Sequence, residues 1–125
     1  HPYLKIKVMQ LGYLSHAEVL AEYNEASVLL LLLFNSKSGI GNYPGKIFEY
    51  FAAKRSILAF GPENSDTEKL IQKTKTGIYF SYDKTNLKDD ILALFNNENH
   101  FNFENIESFS RKKLTKDLSD LLNNI

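Results

Sequence analysis

The stretch Ser27-Val28-Leu29-Leu30-Leu31-Leu32-Leu33-Phe34, running through a polar segment with Gly39 and Gly41 into Pro44-Gly45-Lys46-Ile47-Phe48-Glu49-Tyr50-Phe51, decides the fold. Five consecutive leucines do not by periodicity distinguish strand from helix. The shortness of the run and its polar, glycine-bearing flanks predict a strand buried on both faces, with the leucines as core. Residues 35–43 read as a loop, and Pro44 sits where a helix can begin, because its missing amide costs nothing there. Ile47, Phe48 and Phe51 then give that helix an apolar face.

Working outward, Ser15-His16-Ala17-Glu18 is a capping box, and Val19, Leu20 and Tyr23 follow at helical spacing. Before it, residues 5–11 read as a strand, with Ile6 and Val8 alternating with lysines and Gly12 ending it. Downstream, residues 56–60 form an apolar strand stopped by Gly61-Pro62. Ser65-Asp66-Thr67-Glu68 is a second capping box, whose helix runs toward Lys75 with Gly77 as a left-handed cap. Residues 78–80 form a fourth strand. Thr85 or Asn86 is placed to cap a helix carrying Leu87, Ile91, Leu94 and Phe95. Residues 96–105 are loop-like, and residues 106–122 form a final amphipathic helix. Strands alternating with helices predict an α/β fold: a parallel sheet of about four strands with helices on both faces and further helices at the C-terminal end. No repeat, low-complexity tract or linker divides the 125 residues, so one domain is expected.

Composition narrows the function. Fifteen basic and fifteen acidic residues cancel, which leaves no electrostatic footprint for nucleic acid. Cysteine is absent, which excludes disulfides, thiolate metal sites and cysteine nucleophiles. No histidine–carboxylate group has metal-ligand spacing, so neither metal nor cofactor is expected. The longest apolar run, 28–34, is far shorter than the roughly 20 residues of a membrane helix. No signal peptide is read before it, and a cytoplasmic location is expected. The opening at His1-Pro2, immediately before an apparent strand, reads as a fragment of a longer protein.

In open parallel sheets, ligands bind beyond the carboxyl ends of the strands. That rule selects the loops at 12–14, 35–45, 61–66 and 81–84. The second is long and glycine-bearing, and it feeds a helix N-terminus whose free amides and dipole suit a phosphate. Lys46 in the first turn opposes that dipole unless an anion lies nearby. Glu49, one turn on, can accept two hydrogen bonds at once, which matches vicinal ribose hydroxyls. Tyr13 reads first as a packing residue and His16 as a surface residue. Arg111, Lys112, Lys113 and Lys116 read as a solvated helix face, with contact to a membrane surface as the alternative.

The stretch from Pro44 through Ala53, followed by Ser56-Ile57-Leu58-Ala59-Phe60-Gly61-Pro62, resembles the donor-site signature of family 4 glycosyltransferases: a proline- or glycine-bearing loop, then K-x-x-E-Y-x-A, then a short strand and a turn. Order and spacing agree over roughly residues 5–82. The resemblance implies the Rossmann-like, C-terminal donor-binding half of a two-domain (GT-B) transferase of hexosyl type, at work in surface polysaccharide or glycan assembly. It implies Glu49 as the holder of the nucleotide ribose, Asn42, Tyr43, Gly45 and Lys46 beside the donor diphosphate and sugar, and the Gly12-Tyr13 turn beside the nucleobase. The implied partners are a UDP- or GDP-sugar and an N-terminal acceptor domain, with peripheral membrane contact in the full-length protein. The first βα units and the acceptor domain would precede His1, so no catalytic residue is named and the chain alone is expected to be inactive.

One departure bears on the sugar. Many family members carry a second glutamate eight positions before the ribose glutamate, and here that position is Gly41. The competing reading is therefore a non-catalytic module that binds a nucleotide or a protein. A dinucleotide-binding or response-receiver domain ranks below both: no G-x-G-x-x-G follows an expected strand, and no acidic cluster ends the first one.

Overall fold

A computed structural model of the chain describes residues 7–96 and 101–125, with no side-chain description for residue 104. Its centre is a parallel sheet of three strands in the order β1 (Val28–Leu32), β2 (Ser56–Gly61), β3 (Gly77–Ser81). Leu30 pairs with Leu58 and Leu32 with Phe60, while Ile57 pairs with Gly77 and Phe60 with Phe80. Around the sheet lie α1 (His16–Glu25), the short α2 (Lys37–Ile40), α3 (Lys46–Ala53), α4 (Asp66–Thr74), α5 (Lys88–Phe95), a 3-10 helix (Glu104–Phe109) and α6 (Arg111–Asn123). This is a small α/β domain of Rossmann-like architecture.

The sheet separates two apolar clusters. On one face Leu29, Leu31, Ile57 and Ala59 pack with Ile47, Tyr50 and Phe51 of α3, with Leu70 and Ile71 of α4, and with Ile106. On the other, Leu58 and Phe80 pack with Leu94 of α5, joined by Phe60, Ile78 and Ile91. Leu30 and Leu32 also point to this second side by the two-residue strand period, yet they are 53% and 62% exposed. The expectation of a leucine run buried on both faces is therefore corrected: alternate leucines are core. A helix is about 10 Å across and strands are about 4.8 Å apart, so α5 spans two strands; of β1 only Val28 packs against this cluster, and among the described residues nothing covers Leu30 and Leu32.

The strand expected at 5–11 is not part of the sheet as far as it is described. Residues 7–11 adopt no regular structure, and Val8, Met9 and Leu11 are exposed; residues 5 and 6 lie outside the described residues. A strand covered on both faces must be apolar on both, and alternating lysines give this segment one apolar side only.

Local signals place the helix ends. At α1 the capping box is complete: Glu18 N donates to Ser15 Oγ, and Ser15 N donates to Glu18 Oε2. At α4 Ser65 Oγ accepts from Glu68 N, but the Glu68 carboxylate reaches back to the Asn64 amide instead of that of Ser65. The left-handed residue closing α4 is Lys75 (φ 49°), not Gly77, which already belongs to β3. Neither Thr85 nor Asn86 caps α5; Asn86 itself is left-handed (φ 62°), and the helix starts from Leu87 without a side-chain cap. The expected helix at 106–122 is split, because Ser110 takes an extended backbone and its hydroxyl caps a new helix by accepting from Lys113 N. The expected loop at 96–105 is irregular at 101–103; residues 97–100 lie outside the described residues.

Candidate functional site

The loop between β1 and α3 is held in place by β2, by Pro62 after it, by the start of α4 and by Tyr82 after β3. Leu33 N donates to Phe60 O at 2.8 Å, extending the strand pairing by one residue, and Tyr82 Oη donates to Leu33 O at 2.6 Å. Residues 37–40 of the expected loop form the single turn α2. A Cβ at Gly39 would lie 2.2 Å from Phe34 O and 3.3 Å from the Pro62 ring, so only glycine permits this approach. The buried Thr67 hydroxyl donates to Asn42 O at 2.6 Å. Beneath these loops Ser65 Oγ donates to Tyr79 Oη at 2.9 Å, and Tyr79 Oη donates to Pro62 O at 2.8 Å.

This frame sets the start of α3. Ile47 N donates to Pro44 O and Phe48 N to Gly45 O, but α3 runs from Lys46 with Gly45 as its cap residue, so Pro44 stands just before the helix and not at its first position as expected. No side chain caps it, in contrast to the serine caps of α1, α4 and α6. The exposed Lys46 and Pro44 line an open groove of about 300 Å³ together with Leu30, Leu31 and Leu32. Among the described residues Lys46 makes no ion pair. A lysine beside uncapped amides concentrates positive charge at the carboxyl end of β1.

Glu49 lies in the same first turn, half-buried, and hydrogen-bonds to no described residue. Its surroundings are two tyrosines. Tyr23 of α1 and Tyr50 of α3 pack edge to face, with ring centroids 5.0 Å apart, and Tyr50 Oη donates to Leu30 O at 3.0 Å. Burial pushes the Tyr50 hydroxyl up from 10.0 to about 12, with Tyr23 and the Glu49 carboxylate adding to it. Burial raises Tyr23 as well, and Glu49 is its second cause. Glu49 is thus close enough to both phenols to be felt electrostatically. Tyr50 was legible as the residue next to Glu49, and Tyr23 only as an apolar helix position; the contact between α1 and α3 that brings Tyr23 to them carries no signal in either segment alone.

The Tyr50 shift makes a pH prediction. The folded state holds this proton where the unfolded chain releases it. The stability it contributes is full below about pH 10 and is lost as the pH rises toward 12. Urea midpoints measured at about pH 9 and about pH 11 are expected to fall further in the native chain than in Tyr50→Phe. Equal slopes in the two proteins would contradict a perturbed Tyr50.

The other expected site residues are less closely grouped. Asn42, Tyr43 and Gly45 are exposed on the loop that leads to Lys46. Gly41 is open, with nothing within 4 Å of a Cβ placed there. Gly12 takes a left-handed turn (φ 74°), and Tyr13 is 97% exposed, so the packing reading of Tyr13 is wrong. Because residues 7–11 are not a strand, the turn at 12–14 does not follow a sheet strand, and the carboxyl-end rule that selected it does not apply. His16 is exposed at the start of α1. Among the described residues no group of three or more histidine or acidic side chains is arranged to hold a metal. Comparison with protein-family models, with curated proteins and with solved structures returns no match.

Proposed function

We propose that this domain binds the nucleotide part of a nucleotide-diphosphate sugar, as the donor half of a two-domain glycosyltransferase of the family 4 type. The observation that carries the reading is the first turn of α3. Among the described residues, a lysine without an ion pair at an uncapped helix start and a carboxylate without a hydrogen-bond partner stand three positions apart, and the lysine lines a groove at the carboxyl end of β1. Lys46 and the free amides would take the diphosphate. As it departs with the negative charge of the broken glycosidic bond, fixed positive groups aimed at it lower the barrier without covalent chemistry. Glu49 would accept hydrogen bonds from the two ribose hydroxyls. The sugar would then be transferred to a glycan or lipid-linked acceptor held by the other half.

Titrating isotope-labelled protein with UDP and with GDP tests this. Amide shifts are expected to saturate and to cluster at Gly45, Lys46 and Glu49, extending to Gly12 and Tyr13 if that turn meets the base. Glu49→Ala is expected to weaken binding about tenfold or more, as befits a lost pair of charge-assisted hydrogen bonds. Unmoved amides around Lys46 and Glu49 at millimolar nucleotide would reject the donor site. Gly41 favours a second reading, a module that binds nucleotide without turning over a sugar. Nucleotide binding together with absent transferase activity in a protein containing both halves would select it.

A further inference from the structure

α6 has no buried residue. Leu114, Leu118, Leu121 and Leu122 are 50–62% exposed, and Ile125 beyond them is 96% exposed. The helical spacing places the four leucines in an arc of about 100°. The opposite side carries Lys112, Lys113, Lys116 and Asp120. Over residues 111–125 four cations face two carboxylates, in a chain that is neutral as a whole. One of the two, Asp117, is already paired with Lys113. Arg111 stands in line with Leu118 and Leu122, seven and eleven positions earlier, so a guanidinium ends the leucine stripe. Among the described residues no helix is long and apolar enough to cross a membrane.

We propose that α6 lies flat on an anionic lipid surface. A strongly two-sided helix of low overall hydrophobicity, with leucine on one face and lysine on the other, suits the boundary between headgroups and acyl chains. The leucines enter the acyl region along a helix about 20 Å long. Lys112 and Lys116 extend along their stems toward lipid phosphates, and Arg111 reaches them from the apolar side. That position of Arg111 argues against a seam between two copies of the chain, where it would be desolvated within the leucine stripe without a carboxylate in register. The proposal does not depend on the donor site.

Co-sedimentation of the whole chain with vesicles decides it. Most of the protein is expected to pellet with equimolar phosphatidylglycerol and phosphatidylcholine, and at least tenfold less with phosphatidylcholine alone. Lys112→Glu/Lys116→Glu is expected to weaken binding tenfold or more, since each surface cation contributes roughly fivefold. Leu118→Ser/Leu121→Ser is expected to abolish it while leaving the far-ultraviolet circular dichroism unchanged. The proposal is overturned by absence of pelleting with the anionic vesicles, or by equal pelleting of the leucine variant. A dimer in light scattering that the leucine variant loses, with no vesicle binding, would assign the stripe to a second copy instead.

Discussion

Gly77→Ala is expected to cost about 3 kcal/mol or more, enough to leave a domain of this size largely unfolded in moderate denaturant. A Cβ at this position would sit 2.0 Å from the Ile57 carbonyl oxygen, 2.7 Å from its carbon and 2.8 Å from its Cα. All three atoms are backbone of β2, the central strand, and Ile57 is Gly77's register partner. A flexible side chain could step aside. Here either β3 must leave its register or β2 must shift against two apolar clusters. Gly45→Ala is the control: nothing lies within 4 Å of a Cβ there and its φ is −53°, so alanine is expected to be neutral or to stabilise by up to about 1 kcal/mol. Denaturant midpoints of the two variants check the pair. A shift at Gly77 as small as that at Gly45 would show that β2 and β3 do not approach this closely.

Leu31→Ala is expected to destabilise by about 3 kcal/mol, while Leu32→Ala, its neighbour, is expected to change stability by less than about 0.5 kcal/mol. Leu31 is 3% exposed and packs in the cluster beneath α3 and α4, so truncation removes buried surface and leaves a cavity. Leu32 is already exposed to water on the side of β1 away from that cluster. Urea unfolding of both variants tests this, and a loss at Leu32 comparable to that at Leu31 would mean that something covers the second face of β1 in solution.

That pair also marks where reading the chain alone stops. Five leucines in a row are apolar in both strand registers, so nothing local says which alternate set is covered. The decision belongs to α5, which is joined to the sheet through β3 and is too narrow to reach Leu30 and Leu32. The same holds for Glu49. Its place in the first turn of α3 was legible from Pro44, Lys46 and the apolar positions around it. The approach of Tyr23 was not, because that comes from a helix ending more than twenty residues earlier.

Features that rest on short-range physics were legible along the chain. Ser15 and Ser65 start helices because their hydroxyls meet amides three residues on, and the alternation of apolar segments and helical faces requires a parallel α/β sheet. Features that rest on contact between distant segments emerged from the folded chain. It excluded residues 7–11, as far as they are described, from the sheet. It gave Gly77 to the close approach of two strands and the left-handed turn to Lys75, and it brought Asn42 to Thr67 and Tyr50 to Leu30. The physical reason is one of range: capping and periodicity act within one or two turns of chain, whereas burial and backbone approach depend on which surfaces the whole fold brings together.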